Sequence, residues 1–163
     1  MSDADDRSRT YSWADPRPLA QATAELDGLT LLTKVRDGEL PPPSIGRTMG
    51  FRLVEVAEGS SVFEGGWQEF LSNPAGTLHG GWYGTILDSA MGCAVHSTLP
   101  AGGAYTTLEY KVNITRGAGP DSGMLRAEGR VVHRGRRSAT AEARLVDGNG
   151  KVYAHATTTC MIL

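Results

Sequence analysis

The chain has 163 residues, 40% of them apolar and 21% charged, with a formal net charge of -2. That length suits one hydrophobic core, and so small a net charge sets up no field that would draw nucleic acid. No run approaches the roughly 18 apolar residues of a membrane-spanning helix, so neither a membrane nor a nucleic acid is expected as a partner.

Residues 1–16 are polar, with an acidic start, and close on Asp15-Pro16. They hold no apolar segment that would serve as a secretory signal, so a disordered leader on a cytoplasmic protein is expected. Over 17–37 one helix is expected: Leu19, Ala22, Leu26, Leu29, Leu32 and Val35 recur at spacings of three and four, and Asp37-Gly38 supplies a stop. Pro41-Pro42-Pro43 then forces an extended link into a body spanning 38–163. There, Phe51–Val56 and Val62–Trp67 are short strand candidates joined at Glu58-Gly59. One long helix runs from His79 to about Thr98, between Asn73-Pro74-Ala75-Gly76 and Leu99-Pro100-Ala101-Gly102-Gly103. Four strands follow, Tyr105–Thr115, Leu125–Val132, Ser138–Val146 and Lys151–Ile162, all alternating with period two. Leu108, Tyr110, Val112 and Ile114 are expected on one apolar face, and Asp147-Gly148-Asn149-Gly150 signals a hairpin.

Four strands after a single helix exclude a βαβ array. An α+β arrangement is expected instead, an antiparallel sheet wrapped around one long central helix with an extra N-terminal helix. Cys93 and Cys160 lie among apolar neighbours and read as reduced core residues. No His or Cys pair has metal spacing, so no metal is expected, and His96 and His155 are assigned to structure.

The segment that carries chemistry is Asn73-Pro-Ala-Gly-Thr-Leu-His-Gly-Gly-Trp-Tyr-Gly-Thr-Ile-Leu-Asp88. It reads as a polar turn, a glycine pair at a helix entrance and a carboxylate two turns in. Free N–H groups at a helix start stabilise negative oxygen, and Gly80 and Gly81 remove side chains that would hold a carbonyl away. That suits an oxyanion site for acyl transfer; a tight packing turn is the plainer alternative. Interior glycines cost about 1 kcal/mol each against alanine, yet Gly84, Asp88 and Gly92 share one helical stripe. The carboxylate is therefore expected in cleared space, able to attack a thioester or activate water. Gly80 and Asp88 are eight residues apart, about 12 Å along a helix, too far to grip one carbonyl. Either the two do not cooperate, or a two-fold dimer lends each site one group from each chain, which is the arrangement expected.

These residues resemble the PaaI-like thioesterases of the hotdog superfamily. The resemblance runs from about Gly38 to Leu163 and is carried by GELPPPSIGRTMGFRLVEV, NPAGTLHGGWYGTILDSAMGCAVHSTLPAG and YTTLEYKVNITR. It implies a hotdog thioesterase domain over 38–163, a homodimer that commonly doubles to a tetramer, and an aryl- or medium-chain acyl-CoA as substrate. Coenzyme A would be part of the substrate, and no separate cofactor is implied. It further implies that Asn73 positions the nucleophilic water or the thioester, that His79 orients the thioester, and that the Gly80 N–H polarises its carbonyl. Asp88 from the partner chain would be nucleophile or general base, with Thr107, or Thr106 beside it, completing the site. Gly81 and the basic turn Arg134-Gly135-Arg136-Arg137 would face the coenzyme, since arginine forks suit phosphate. The chain departs from the family after the first long strand, where Arg116-Gly117-Ala118-Gly119-Pro120 replaces an Arg-Pro pair.

Two other readings are open at this level. A hydratase or dehydratase on the same fold would use His79 and Asp88 to move protons, and a non-catalytic acyl-CoA binding module would need no carboxylate. Trp67, Trp82 and Tyr83 either line an aromatic pocket or pack.

Overall fold

The computed structural model describes residues 7–163, so the expectation for the first six residues lies outside it. Residues 7–16 form no regular element. The Arg9 guanidinium donates to the Arg47 and Thr48 carbonyls at 3.0 Å each and lies 3.7 Å over the Phe70 ring.

The single helix expected over 17–37 is two, α1 (Arg17–Glu25) and α2 (Gly28–Arg36). Asp27 breaks it by capping α2: Oδ1 accepts from the Thr30 N–H at 2.9 Å and Oδ2 from the Thr30 hydroxyl at 2.7 Å. A capping residue takes extended backbone, here φ -64 and ψ 157, which a continuing helix cannot. After the proline link a short helix absent from the sequence expectation, α3 (Ser44–Met49), leads into β1 (Phe51–Ala57) and β2 (Ser60–Gly66). The long helix α4 (Gly80–His96) follows, then β3 (Tyr105–Ile114), β4 (Met124–Arg134), β5 (Ser138–Asp147) and β6 (Val152–Ile162).

The six strands form one antiparallel sheet in the order β1-β2-β4-β5-β6-β3. Its inner face is rich in small residues on β4, β5 and β6, with Phe63, Leu125 and Leu145 among them. Ala127, Ala139, Ala141, Ala143, Ala154 and Ala156 are all buried, and they let the sheet close on α4. At Gly129 the approach is backbone on backbone: a Cβ there would stand 2.3 Å from the Ala90 carbonyl oxygen. Ile86, Leu87 and Met91 of α4 fill this interior.

Trp82 and Tyr83 are buried and pack in the core, with Trp82 also bordering a small pocket beside His79. Trp82 Nε1 donates to the Met49 carbonyl at 2.8 Å, tying α3 to α4. The Tyr83 hydroxyl donates to the Arg116 carbonyl at 3.0 Å and accepts from the Ala118 N–H at 2.8 Å. Trp67 Nε1 donates to the Gly76 carbonyl and braces the loop before α4.

Strand β3 corrects one expected face. A bulge between Thr107 and Glu109 leaves Leu108 without a partner on β6. Tyr110, Val112 and Ile114 stay on the side facing α4, opposite Thr158, Ala156 and Ala154, but Leu108 drops out of that set and is 58% exposed.

Candidate active site

The loop before α4 is built by Asn73. Its Oδ1 accepts from the Ala75 and Thr77 N–H groups at 2.9 and 3.2 Å, while Nδ2 donates to Thr77 Oγ1 at 2.9 Å and reaches the Leu78 carbonyl at 3.5 Å. The amide of Asn73 thus has both ends engaged within its own turn. His79 caps α4: its Nδ1 accepts from the Gly81 N–H at 2.9 Å. An imidazole that accepts at Nδ1 carries its proton on Nε2, so the exposed edge of His79 is a donor. The Gly81 amide is therefore occupied by His79, while the Gly80 amide, at the first helical position, has no acceptor within the helix.

Along one side of α4 the residues Gly80, Gly84, Asp88 and Gly92 meet β3 in reverse order. A Cβ at Gly80 would touch Ile114 at 3.5 Å, one at Gly84 would meet the Tyr110 hydroxyl at 3.2 Å, and one at Gly92 would stand 2.3 Å from the Tyr105 hydroxyl. Between the two tyrosines the Thr107 hydroxyl donates to Asp88 Oδ1 at 3.1 Å. The glycines beside Asp88 therefore admit tyrosine rings, and the space expected around the carboxylate is partly filled by Tyr105 and Tyr110. Thr106 is exposed, and Thr107 is the residue that meets Asp88.

Asp88 is only partly buried, and that burial pushes its carboxyl above the usual range, with the Thr107 hydroxyl pulling it back in part. One side of it borders a cavity of about 500 Å³. From α4 the cavity takes Asp88, Ser89, Cys93 and His96, and Tyr105 closes it from β3. Burial drives the Cys93 thiol up to about 12 and the His96 imidazole below its ordinary value, so both stand neutral at physiological pH. His96, expected as a structural residue, also borders this cavity.

The basic turn Arg134-Gly135-Arg136-Arg137 is the exposed tip of the β4–β5 hairpin. It lies at the end of the sheet where β3 begins, since the Arg137 carbonyl accepts from the Ile162 N–H and Ile162 pairs with Tyr105. Gly80 lies at the other end of α4, under Ile114. Within one chain, then, Asp88 and Thr107 come together; Asn73, His79, Gly80 and Gly81 gather at the helix entrance about 12 Å away, and the arginine turn stands at the opposite end. The Arg116–Pro120 loop packs back on the Asn73 turn, with the Ala118 carbonyl accepting from the Leu78 N–H at 2.8 Å. Among the described residues no helix is long and apolar enough to cross a membrane.

An antiparallel sheet curled around one long helix is the architecture of a hotdog protein. The thioesterase superfamily profile matches residues 75–154. A phenylacetic acid degradation-related protein of Ralstonia eutropha is 31% identical, with a TM-score of 0.72 over 80% of this chain and 98% of its own. A conserved protein of Pseudomonas aeruginosa is 30% identical, with a TM-score of 0.70 over 75% of this chain and 95% of its own. The PaaI protein of the E. coli phenylacetic acid degradation operon, 17% identical, shares the fold with a TM-score of 0.72 over 81% of this chain and 93% of its own. No curated protein matches the chain. The chain belongs to the thioesterase superfamily and, within it, to the PaaI-like hotdog proteins.

Proposed function

We propose that the protein hydrolyses the thioester of an acyl-CoA in a site assembled from two copies of the chain. The observation that carries this reading is Asp88, a carboxylate held at Oδ1 by Thr107 and bordering an apolar cavity. Its second oxygen is left to act on water or on the thioester carbonyl. As general base it takes a proton from water while the water oxygen bonds to the carbonyl carbon. As nucleophile it forms an anhydride that water then opens. In both routes the carbon–sulfur bond breaks and coenzyme A leaves as a thiolate, which takes back the water proton from Asp88 in the first route and a proton from solvent in the second.

The developing oxyanion needs a donor, and the open Gly80 amide of the same chain is out of reach. Gly84 lies midway between Gly80 and Asp88, and Tyr110 covers Gly84. A two-fold axis through that point would bring each Gly80 opposite the partner's carboxylate. Strand β3 supports such a pairing: it is an edge strand, and its Tyr110 and Ile114 are each 47% exposed. The same axis would carry the partner's helix entrance towards the end of the sheet that holds Arg134, Arg136 and Arg137, where the coenzyme phosphates would find charge-assisted partners. Asn73 then acts on the loop that presents Gly80, and His79 offers Nε2–H beside it.

Thiol release measured over a panel of CoA esters tests this. At least one ester should turn over, and Asp88→Asn should lower kcat by about a hundredfold or more with the fold intact. Undiminished turnover in that variant would remove Asp88 from the chemistry.

A further inference from the structure

The cavity beside Asp88 is roofed by a part of the chain that lies before the superfamily match, which begins at residue 75. Leu19 of α1, Leu32 and Val35 of α2 and Ile45 of α3 line it together with Leu53 of β1 and Phe63 of β2. The roof is fixed in place. The Gly28 N–H at the start of α2 donates to the Leu99 carbonyl at 3.0 Å, and a Cβ on Gly28 would stand 1.7 Å from the His96 carbonyl oxygen. Helix α2 is thus docked by backbone contact on the end of the helix that carries Asp88.

The walls are largely apolar, with the aliphatic side chains of α1, α2 and α3 joined by the rings of Phe51, Phe63 and Tyr105. The two arginines at the edge are directed elsewhere: Arg47 donates to the Ser12 hydroxyl at 3.2 Å, and Arg52 stands 3.6 Å from Glu64. The cavity follows α4 from Asp88 to His96, eight residues or about 12 Å. A single aromatic ring on the thioester carbonyl falls well short of that length and would leave water against the far apolar walls. A flexible chain fills it.

We propose that this cavity receives the saturated aliphatic chain of the acyl group, and that Leu19, Leu32 and Ile45 of the roof set the chain length accepted. The assignment rests on the thioesterase reading, and the test keeps the two apart.

The experiment measures kcat/KM for a series of straight-chain acyl-CoA esters from two carbons upward, with benzoyl-CoA as the single-ring comparison. Binding of the same series to the Asp88→Asn protein is followed by calorimetry. Each added methylene should raise kcat/KM, and tighten binding, by about three- to fourfold until the cavity is full. Leu19→Trp and Ile45→Trp should lower the ratio of long-chain to short-chain kcat/KM at least tenfold and move the optimum to shorter chains, while Leu32→Ala moves it to longer ones. Ile45 is 47% exposed, so its variant tests the wall without disturbing the core.

Turnover with a flat chain-length profile overturns the assignment and leaves hydrolysis standing. So do tryptophan variants that slow every ester equally, or benzoyl-CoA preferred over every aliphatic ester. Chain-dependent binding to a protein that hydrolyses no ester overturns hydrolysis and supports the cavity. Neither binding nor turnover overturns both.

Discussion

Pairing two defective chains tests the shared site directly. Asp88→Asn removes the carboxylate, and Gly80→Pro removes the amide donor. The proline variant is compatible with the local backbone. His79 is already extended, with φ -63 and ψ 140, as a residue before proline must be, and the first helical position accepts proline. A Cβ at position 80 meets only Ile114, at an ordinary 3.5 Å. Each variant alone should be nearly inactive, the proline form by about 10²- to 10³-fold in kcat, the cost of losing one oxyanion donor. In a mixed dimer, one site would join both defects, and the other would join an intact Asp88 to the partner's intact Gly80. Co-expression under two tags, followed by sequential purification, isolates that mixed dimer. Its kcat per dimer should be about half that of the native protein, because one of two equivalent sites survives. If each chain supplied its own amide and carboxylate, both sites would be broken and activity would stay at the level of the parents. A mixed dimer no more active than its parents refutes the shared site, and so does a native protein that is monomeric and active.

Three further outcomes follow from the same geometry. Thr107→Val deletes the hydroxyl that pulls the Asp88 carboxyl down, so the acid limb of kcat/KM against pH should move to higher pH; an unmoved limb would separate Thr107 from the titrating group. Burial raises the folded-state value of Asp88 above its unfolded one, so the folded chain binds the proton more tightly. Stability from this source is full below the unfolded carboxyl range and falls as pH rises through the folded value. Asp88→Asn should therefore be more resistant to urea than the native protein near pH 7, with the difference closing in acid; equal midpoints at both pH values would contradict the burial argument. Gly129→Ala drives a methyl against the Ala90 carbonyl and should cost about 1–3 kcal/mol in chemical denaturation, while Gly148→Ala, where a Cβ meets nothing within 4 Å, should cost far less.

The sheet and its helix were legible because their signals are local. Proline and glycine clusters bracket α4, and β5 alternates alanine with polar and charged residues in the period its burial follows. Asp88 stood out for a local reason too, as a lone acid in a buried helix. What the sequence hid came from distant contacts. Leu26 continues the apolar spacing of α1 into α2, so only the Asp27 side chain reaching Thr30 reveals the break. The meaning of Gly84 and Gly92 required knowing which strand lies over them, and the rings of Tyr110 and Tyr105 belong to residues more than ten positions away. The bulge at Leu108 leaves no mark in a regular alternation. The roof over His96 depends on α2 reaching the far end of α4, a contact spanning most of the first hundred residues.

That bulge has a consequence for how the protein can change. A strand with unbroken alternation would carry Thr107 and then Glu109 and Lys111 towards α4, setting charges against the glycine stripe. One unpaired leucine resets the frame, so that the stretch beside the carboxylate and the stretch along the outer rim follow separate countings. The proposed chemistry and the proposed dimer contact would thereby draw on one short strand without competing for the same positions, and either could drift while the other holds.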